Sequence, residues 1–263
     1  MRRANVFWGL ILILLGVLFL LQALHLIDDV FGWFWPSALI LLGLWVLFSN
    51  VLPHTRSSAE PFELSLEGAT QLDLNLDLGL GSVSFSGGTL EGTALSGTRG
   101  KTLEIRHNRS GERLLVDLNA GPNFLPFLGP DEGDWQFALT CAVPLNLKVK
   151  AGASSLDFDL TDVNLKSLRL EAGASTINIK LPASVEHSEV FLETGAATLD
   201  LQLPDGVAAS ILMEQGASTL DVDRVRFPLL NATGNHYQSP DYAENPHRVD
   251  INLKGGANSV RVG

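Results

Sequence analysis

Five segments of the chain align without a gap: AGASSLD at 151–157, AGASTIN at 172–178, TGAATLD at 194–200, QGASTLD at 215–221 and GGANSVR at 255–261. Their glycines, Gly152, Gly173, Gly195, Gly216 and Gly256, are 21, 22, 21 and 40 residues apart. A fixed period near 21 marks a stacked repeat, in which each unit buries its apolar face only against its neighbours. Leu168 and Leu170 alternate with polar residues, and Ile177, Ile179 and Leu181 then alternate on the opposite parity. The same step of seven joins Val149 to Leu156, Leu192 to Leu199, Met213 to Leu220 and Leu253 to Val260. Side chains along a strand alternate with period 2, so a flat strand cannot change parity and keep both halves buried. The Gly-Ala-Ser element must be a corner that keeps both apolar faces pointing inward. Leu76 and Val83 make the same step around Gly79, and Gly121 is expected to mark a degenerate copy.

The expected fold is therefore all-β: a single-stacked, β-helix-like solenoid with a period of about 21 residues over 62–263. Its corner glycines are Gly79, Gly152, Gly173, Gly195, Gly216 and Gly256. Glycine tolerates the backbone angles a corner needs, and a larger residue there is expected to meet strain if φ is positive and to press on the next coil about 4.8 Å away. Stacked in chain order, Gly173 and Gly195 lie mid-stack and Gly256 near the frayed end. Ser155, Thr176, Thr198, Thr219 and Ser259 would form a hydroxyl row. Asp157, Asn178, Asp200 and Asp221 would form an outer acidic row with Asp200 beside Asp221. That row is read as a solvated acidic stripe that discourages aggregation, with calcium as a carboxylate-seeking alternative. Cys141, in the alternating run Phe137, Leu139, Cys141, Val143, is expected in the core.

The last gap of 40 residues holds an irregular insertion at about 229–248, rich in loop formers such as Asn231, Gly234, Pro240 and Pro246. His236, Tyr237 and Tyr242 make it either a partner-contact loop or a cap on the solenoid end. A second irregular stretch, Pro122 to Trp135, carries Phe124 and Phe127 and could cover a coil edge or touch a bilayer.

The N-terminal part is a different object. Nothing from Val6 to Ile27 is charged, and as a helix that run is about 30 Å long, the thickness of a hydrocarbon core. A second uncharged run, Phe31 to Phe48, follows a reversal at Asp28 and Asp29. Trp33 and Trp35 sit where an aromatic belt meets headgroups. The expectation is a two-helix transmembrane hairpin over 1–53, with spans at about 6–27 and 33–52, and a linker at 54–61. Arg2 and Arg3 place the N-terminus in the cytoplasm by the positive-inside rule, and two spans return the β domain there. Residues 57–263 carry 15 basic and 27 acidic side chains, which argues against nucleic-acid binding.

Motifs for chemistry are missing. There is no Walker loop, nucleophile elbow, His-Glu-x-x-His or Cys-x-x-Cys. One cysteine allows no internal disulfide, and the six histidines have no ligand spacing. The reading is not an enzyme, with no catalytic, cofactor or metal residues.

The segments Phe7–Gly16, Trp35-Pro36 and Leu39–Gly43 resemble the transmembrane region of bacterial LiaI and LiaF proteins. The Gly-Ala-Ser/Ala-Thr/Ser repeats, Tyr242–Asn245 and the closing Gly255–Val260 are similar to the toast-rack β-solenoid of LiaF-like and adhesin-type proteins. The resemblance implies a bacterial inner-membrane protein tied to envelope stress, where LiaF-type members repress a sensor histidine kinase. Two spans are expected in this chain where LiaF has more. The expectation is a multi-pass, membrane-anchored regulatory protein whose solenoid binds a protein partner, a sensor kinase or another envelope protein. The alternative is an extracytoplasmic adhesin-like scaffold. Expected contacts are the lipid bilayer, that partner and further copies of the chain.

Overall fold

Alternating apolar residues with a parity change at each glycine fold into long strands that pass through the corner unbroken. A computed structural model describes residues 60–99, 103–120, 134–216, 218–231 and 234–263, with Gln22 in addition. The hairpin spans, the linker and Gly121 lie outside the described residues, and so do Phe124 and Phe127. Among those described, no helix is long and apolar enough to cross a membrane. The described part is β throughout, apart from Gln22.

Five strands carry the repeat in one piece: β2 (Gln71–Gly87), β7 (Leu145–Asp159), β8 (Leu165–Lys180), β9 (His187–Gln202) and β13 (Arg248–Val262). A sixth coil is split into β10 (Ala208–Gln215) and β11 (Ser218–Val222). All pair in parallel and in register, so that Thr176 stands beside Ser155 on one side and Thr198 on the other. β8 shows the parity change directly. Leu168, Leu170 and Ala172 are buried, Gly173 and Ala174 are both exposed, and Ser175, Ile177 and Ile179 are buried. Two successive outward residues turn the strand without taking either half off the core. Return turns close the third side. Leu160, Val163, Leu181 and Leu203 are buried there, and Leu160 N–H donates to the Lys180 carbonyl at 3.0 Å.

The stack does not follow chain order. The coils run β2–β7–β8–β9–β13–β10, so the last strand of the chain lies inside, between β9 and the split coil. Leu203 N–H accordingly donates to the Gly263 carbonyl at 2.8 Å, and Asp223 N–H to that of Val262 at 3.1 Å. The insertion carries the chain past β10 and β11 and back beneath them. Two expectations fall with this order. Gly256 is an interior glycine, not a frayed one. Asp200 and Asp221 are not neighbours, because Arg261 pairs with both positions.

The two ends are finished differently. Beside β2 lie β5 (Arg113–Ala120) on the first half and β6 (Asp134–Leu139) on the second. Antiparallel strands then cover both: β4 (Leu103–Ser110) on β5, and β3 (Thr93–Arg99) on β6, with β1 (Glu60–Ser65) outside β3. Phe137 stacks on Phe85 with ring centres 5.2 Å apart, and Phe85 meets Phe158 edge-on at 5.3 Å, so aromatics fill this wider end. Cys141 is exposed, contrary to the expectation of a core position. β6 stops at Leu139, and Cys141 falls in the following turn, where the alternation no longer points side chains inward.

Candidate functional site

Parallel pairing in register lines up equivalent outward residues across the sheet formed by the strand halves before the corner. The position four before each glycine gives the row Lys148, Arg169, Phe191, Asn252, Leu212. The position two before gives Lys150, Glu171, Glu193, Lys254, Glu214. In that second row Lys150 pairs with Glu171 at 3.2 Å and Lys254 with Glu214 at 3.2 Å. On the other side of the first row, Asn146 donates to Asp73 at 2.6 Å and Ser167 to Asn146 at 2.9 Å. Both flanking rows therefore satisfy much of their own polarity.

The middle row is different. The Arg169 guanidinium lies over the Phe191 ring, 5.3 Å from its centre. Among the described residues neither Lys148 nor Arg169 has an ion pair. A groove of about 300 Å³ opens here over Leu170 and Leu192, walled by Arg169, Phe191 and Lys254 and by three carboxylates, those of Glu171, Glu193 and Glu214. A guanidinium over the face of a phenyl ring keeps N–H donors available to a carboxylate while the ring offers apolar contact. The Arg169–Phe191 pair suits an apolar side chain with a carboxylate placed at Arg169, while the three glutamates bar a carboxylate from the rest of the groove. Sequence reasoning missed this row, although the signal was present four residues before each aligned glycine.

Each predicted corner glycine has its place in one column. At Gly173, an added Cβ would lie 2.9 Å from the Gly152 carbonyl oxygen. The corresponding distances are 3.2 Å from Gly195 to Gly173, 2.8 Å from Gly256 to Gly195 and 2.8 Å from Gly216 to Gly256. At Gly152 the Cβ would overlap the Gly79 carbonyl, and at Gly79 it meets nothing within 4 Å. None of the six has a positive φ, which removes one of the two expected reasons for glycine and leaves the approach of the next coil. The strand stays extended through the corner, and it is the approach of the next coil's carbonyl that excludes a side chain.

The rows after the corner also depart from expectation. Ser155, Thr176, Thr198, Ser259 and Thr219 do align on the outer side, in that order. The hydroxyl contact lies one residue earlier, on the inner side, where Ser154 and Ser175 are 3.2 Å apart. The acidic row reads Asp157, Asn178, Asp200, Arg261, Asp221, with Arg261 Nε 3.5 Å from the Asp221 carboxylate. A guanidinium inside the row supplies the counter-charge for which calcium was the alternative. Among the described residues no group of three His, Cys, Asp or Glu is placed to hold a metal ion.

The three insertion residues are held against the stack. The insertion forms β12 (His236–Gln238), which pairs antiparallel with β10. Tyr237 is buried in the core. His236 Nε2 is 3.0 Å from the Ser210 hydroxyl. The Tyr242 hydroxyl donates to Asp250, whose other carboxylate oxygen is 2.9 Å from His187 Nε2. Burial, followed by that hydrogen bond and the Asp250 charge, pushes the Tyr242 phenol up to about 12.

Comparison with known proteins places these features. The family model for the N-terminal domain of toast_rack, DUF2154, matches residues 53–202, and that for the LiaF transmembrane domain matches 7–61. Among solved structures, a "putative cell adhesion protein" from Clostridium sporogenes ATCC 15579 is 19% identical, with a TM-score of 0.69 over 78% of this chain and 99% of that one. A "putative adhesin" from Bacteroides fragilis NCTC 9343 is 7% identical, with a TM-score of 0.28 over 78% and 97%. At those identities the first likeness concerns the fold alone, and the second carries no argument. No curated protein matches the chain.

Proposed function

This chain belongs to the toast-rack family, carrying the N-terminal domain of toast_rack behind a LiaF transmembrane domain, and from that premise we propose that it is a non-enzymatic regulatory protein of the bacterial cell envelope. It is membrane-associated and β-solenoidal. The proposal adds that the hairpin, with spans at about 6–27 and 33–52, anchors it in the inner membrane. The β domain, from about residue 62, faces the cytoplasm and binds a protein partner in an envelope-stress pathway.

The observation that carries the reading is the groove at Arg169 and Phe191. A rigid parallel sheet holds a cation and an aromatic ring side by side, between rows that satisfy much of their own polarity. A partner presenting a carboxylate beside an apolar side chain complements the Arg169–Phe191 pair, and the contact between guanidinium and ring holds both groups in place before binding.

The test is capture of partners by the tagged full chain from detergent-solubilised native membranes, beside an Arg169→Glu/Phe191→Ala variant. A partner retained by the wild type and lost from the variant is expected. Identical partners in both would remove this face from the proposal. A reporter fused after Gly263 should be active inside the cell. Activity only outside would favour the adhesin-like scaffold instead.

A further inference from the structure

The two ends of the stack treat their strand edges in opposite ways. At the end capped by antiparallel strands, the outermost strands carry groups that discourage further pairing. β1 contains Pro61 and Glu63, and β4 contains Glu104, Arg106, His107 and Arg109. Proline and charge are the usual protection of a sheet edge. At the opposite end β12 covers only Ser210, Ile211 and Leu212 of β10. Among the described residues β11 pairs with β13 alone. Its sequence, Ser218-Thr219-Leu220-Asp221-Val222, has no proline and one charge.

The inward side of this coil is also unfinished. Ser218, Leu220 and Val222 occupy the core positions held by Asn258, Val260 and Val262 in β13. Asn258 is 6% exposed and Val260 2%, whereas Ser218 is exposed and Leu220 only half-buried. Immediately after β11, Val225 is 90% exposed, and Leu229 and Leu230 are exposed as well. An open edge, incompletely covered core positions and exposed apolar side chains thus coincide at one end of the molecule.

We infer that this edge is the dimerisation surface of the protein: β11 pairs antiparallel with β11 of a second copy across a twofold axis. Charge singles out that occupant. Residues 57–263 carry 27 acidic side chains against 15 basic, so most faces of two copies repel. At β11 the one carboxylate, Asp221, already faces Arg261, and Asp223, Arg224 and Arg226 follow. This end is locally close to neutral. A twofold centred on Leu220 puts Leu220 opposite its own copy, Thr219 opposite Asp221 and Ser218 opposite Val222. No like charges then meet, and Thr219 can donate to the facing carboxylate. Because the other end is closed, the contact is isologous and stops at two copies rather than growing into a fibre.

The test uses the full chain with Cys141→Ser as background. In native membranes, Leu220→Cys treated with copper phenanthroline should give a disulfide dimer, since facing strands bring paired Cα atoms to about 4.5–5.5 Å. Ser155→Cys, mid-stack, should not. In detergent, Leu220→Lys should raise the dimer Kd several-fold, as should Leu220→Glu, because each sets like charges face to face. Co-expressed with different tags, those two variants should pair with each other again, an outcome that misfolding cannot produce. A wild type that stays monomeric overturns the inference, as does a Leu220→Cys variant that forms no disulfide dimer. So does a dimer indifferent to residue 220, or a disulfide from Leu220→Cys to some other protein.

Discussion

Gly152 lies so close to the carbonyl of Gly79 in the neighbouring coil that a methyl group on Gly152 would overlap that oxygen, while a methyl group on Gly79 would meet nothing within 4 Å. The contact is between backbones and has no flexible side chain to yield. Gly152→Ala should therefore destabilise by about 1–3 kcal/mol, the range of overpacking in a filled interior. Gly79→Ala should stay within about 0.5 kcal/mol of wild type. Urea unfolding of residues 57–263, followed by circular dichroism, separates the two. Equal midpoints would mean the glycine column is not in contact.

That fragment should fold without the segment before it. The described residues from 60 to 263 form one compact unit, and its buried apolar side chains make one connected core from Leu66 to Val262. A single cooperative melt with β-type circular dichroism is expected. A random-coil spectrum would contradict it.

Chain order suggests that Gly256 tolerates a side chain better than Gly195, and spatial order reverses that. Gly256 has Gly195 on one side, 2.8 Å from its would-be Cβ, and Gly216 on the other. Gly256→Val should cost at least as much as Gly195→Val in the same urea titration. A clearly smaller loss would return β13 to the end of the stack.

Arg261 separates Asp200 from Asp221. Arg261→Glu would place three like charges on adjacent strands and should destabilise by about 0.5–1 kcal/mol at low salt. The side chains are largely exposed, so 0.5 M salt should remove most of the effect. Asp200→Asn should be close to neutral. A salt-independent loss for Arg261→Glu would point to packing instead of charge.

Tyr242 should make stability fall at alkaline pH. Its phenol is raised from 10.0 to about 12 by burial and then by the bond to Asp250. The folded state thus holds the proton more tightly than the unfolded one. The contribution is complete below about pH 10 and is lost as pH rises through about 12. Tyr242→Phe should flatten the melting temperature over that window relative to wild type. Parallel curves would sink the assignment.

The coil was readable because its cause is local. The parity change from Leu170 to Ile177 can be satisfied only by a corner, and the repeat makes every corner equivalent. The row four residues before each glycine was equally local, but Lys148, Arg169, Phe191, Asn252 and Leu212 share no single chemistry that would draw the eye. Their meaning comes from standing side by side, with Arg169 lying on Phe191.

Sequence by itself determined the period, the inward residues of each strand and the need for a small residue at each corner, because these follow from alternation within one chain segment. Tertiary structure alone decided which coils are neighbours. A parallel strand pairs equally well with either adjacent copy of a near-identical repeat, so periodicity cannot say where β13 goes. The insertion settles that: β12 covers β10, Tyr242 bonds to Asp250, and Leu203 reaches the carbonyl of Gly263 instead of its successor in the chain. From that one choice follow the interior place of Gly256, the counter-charge at Arg261 and the open edge at β11.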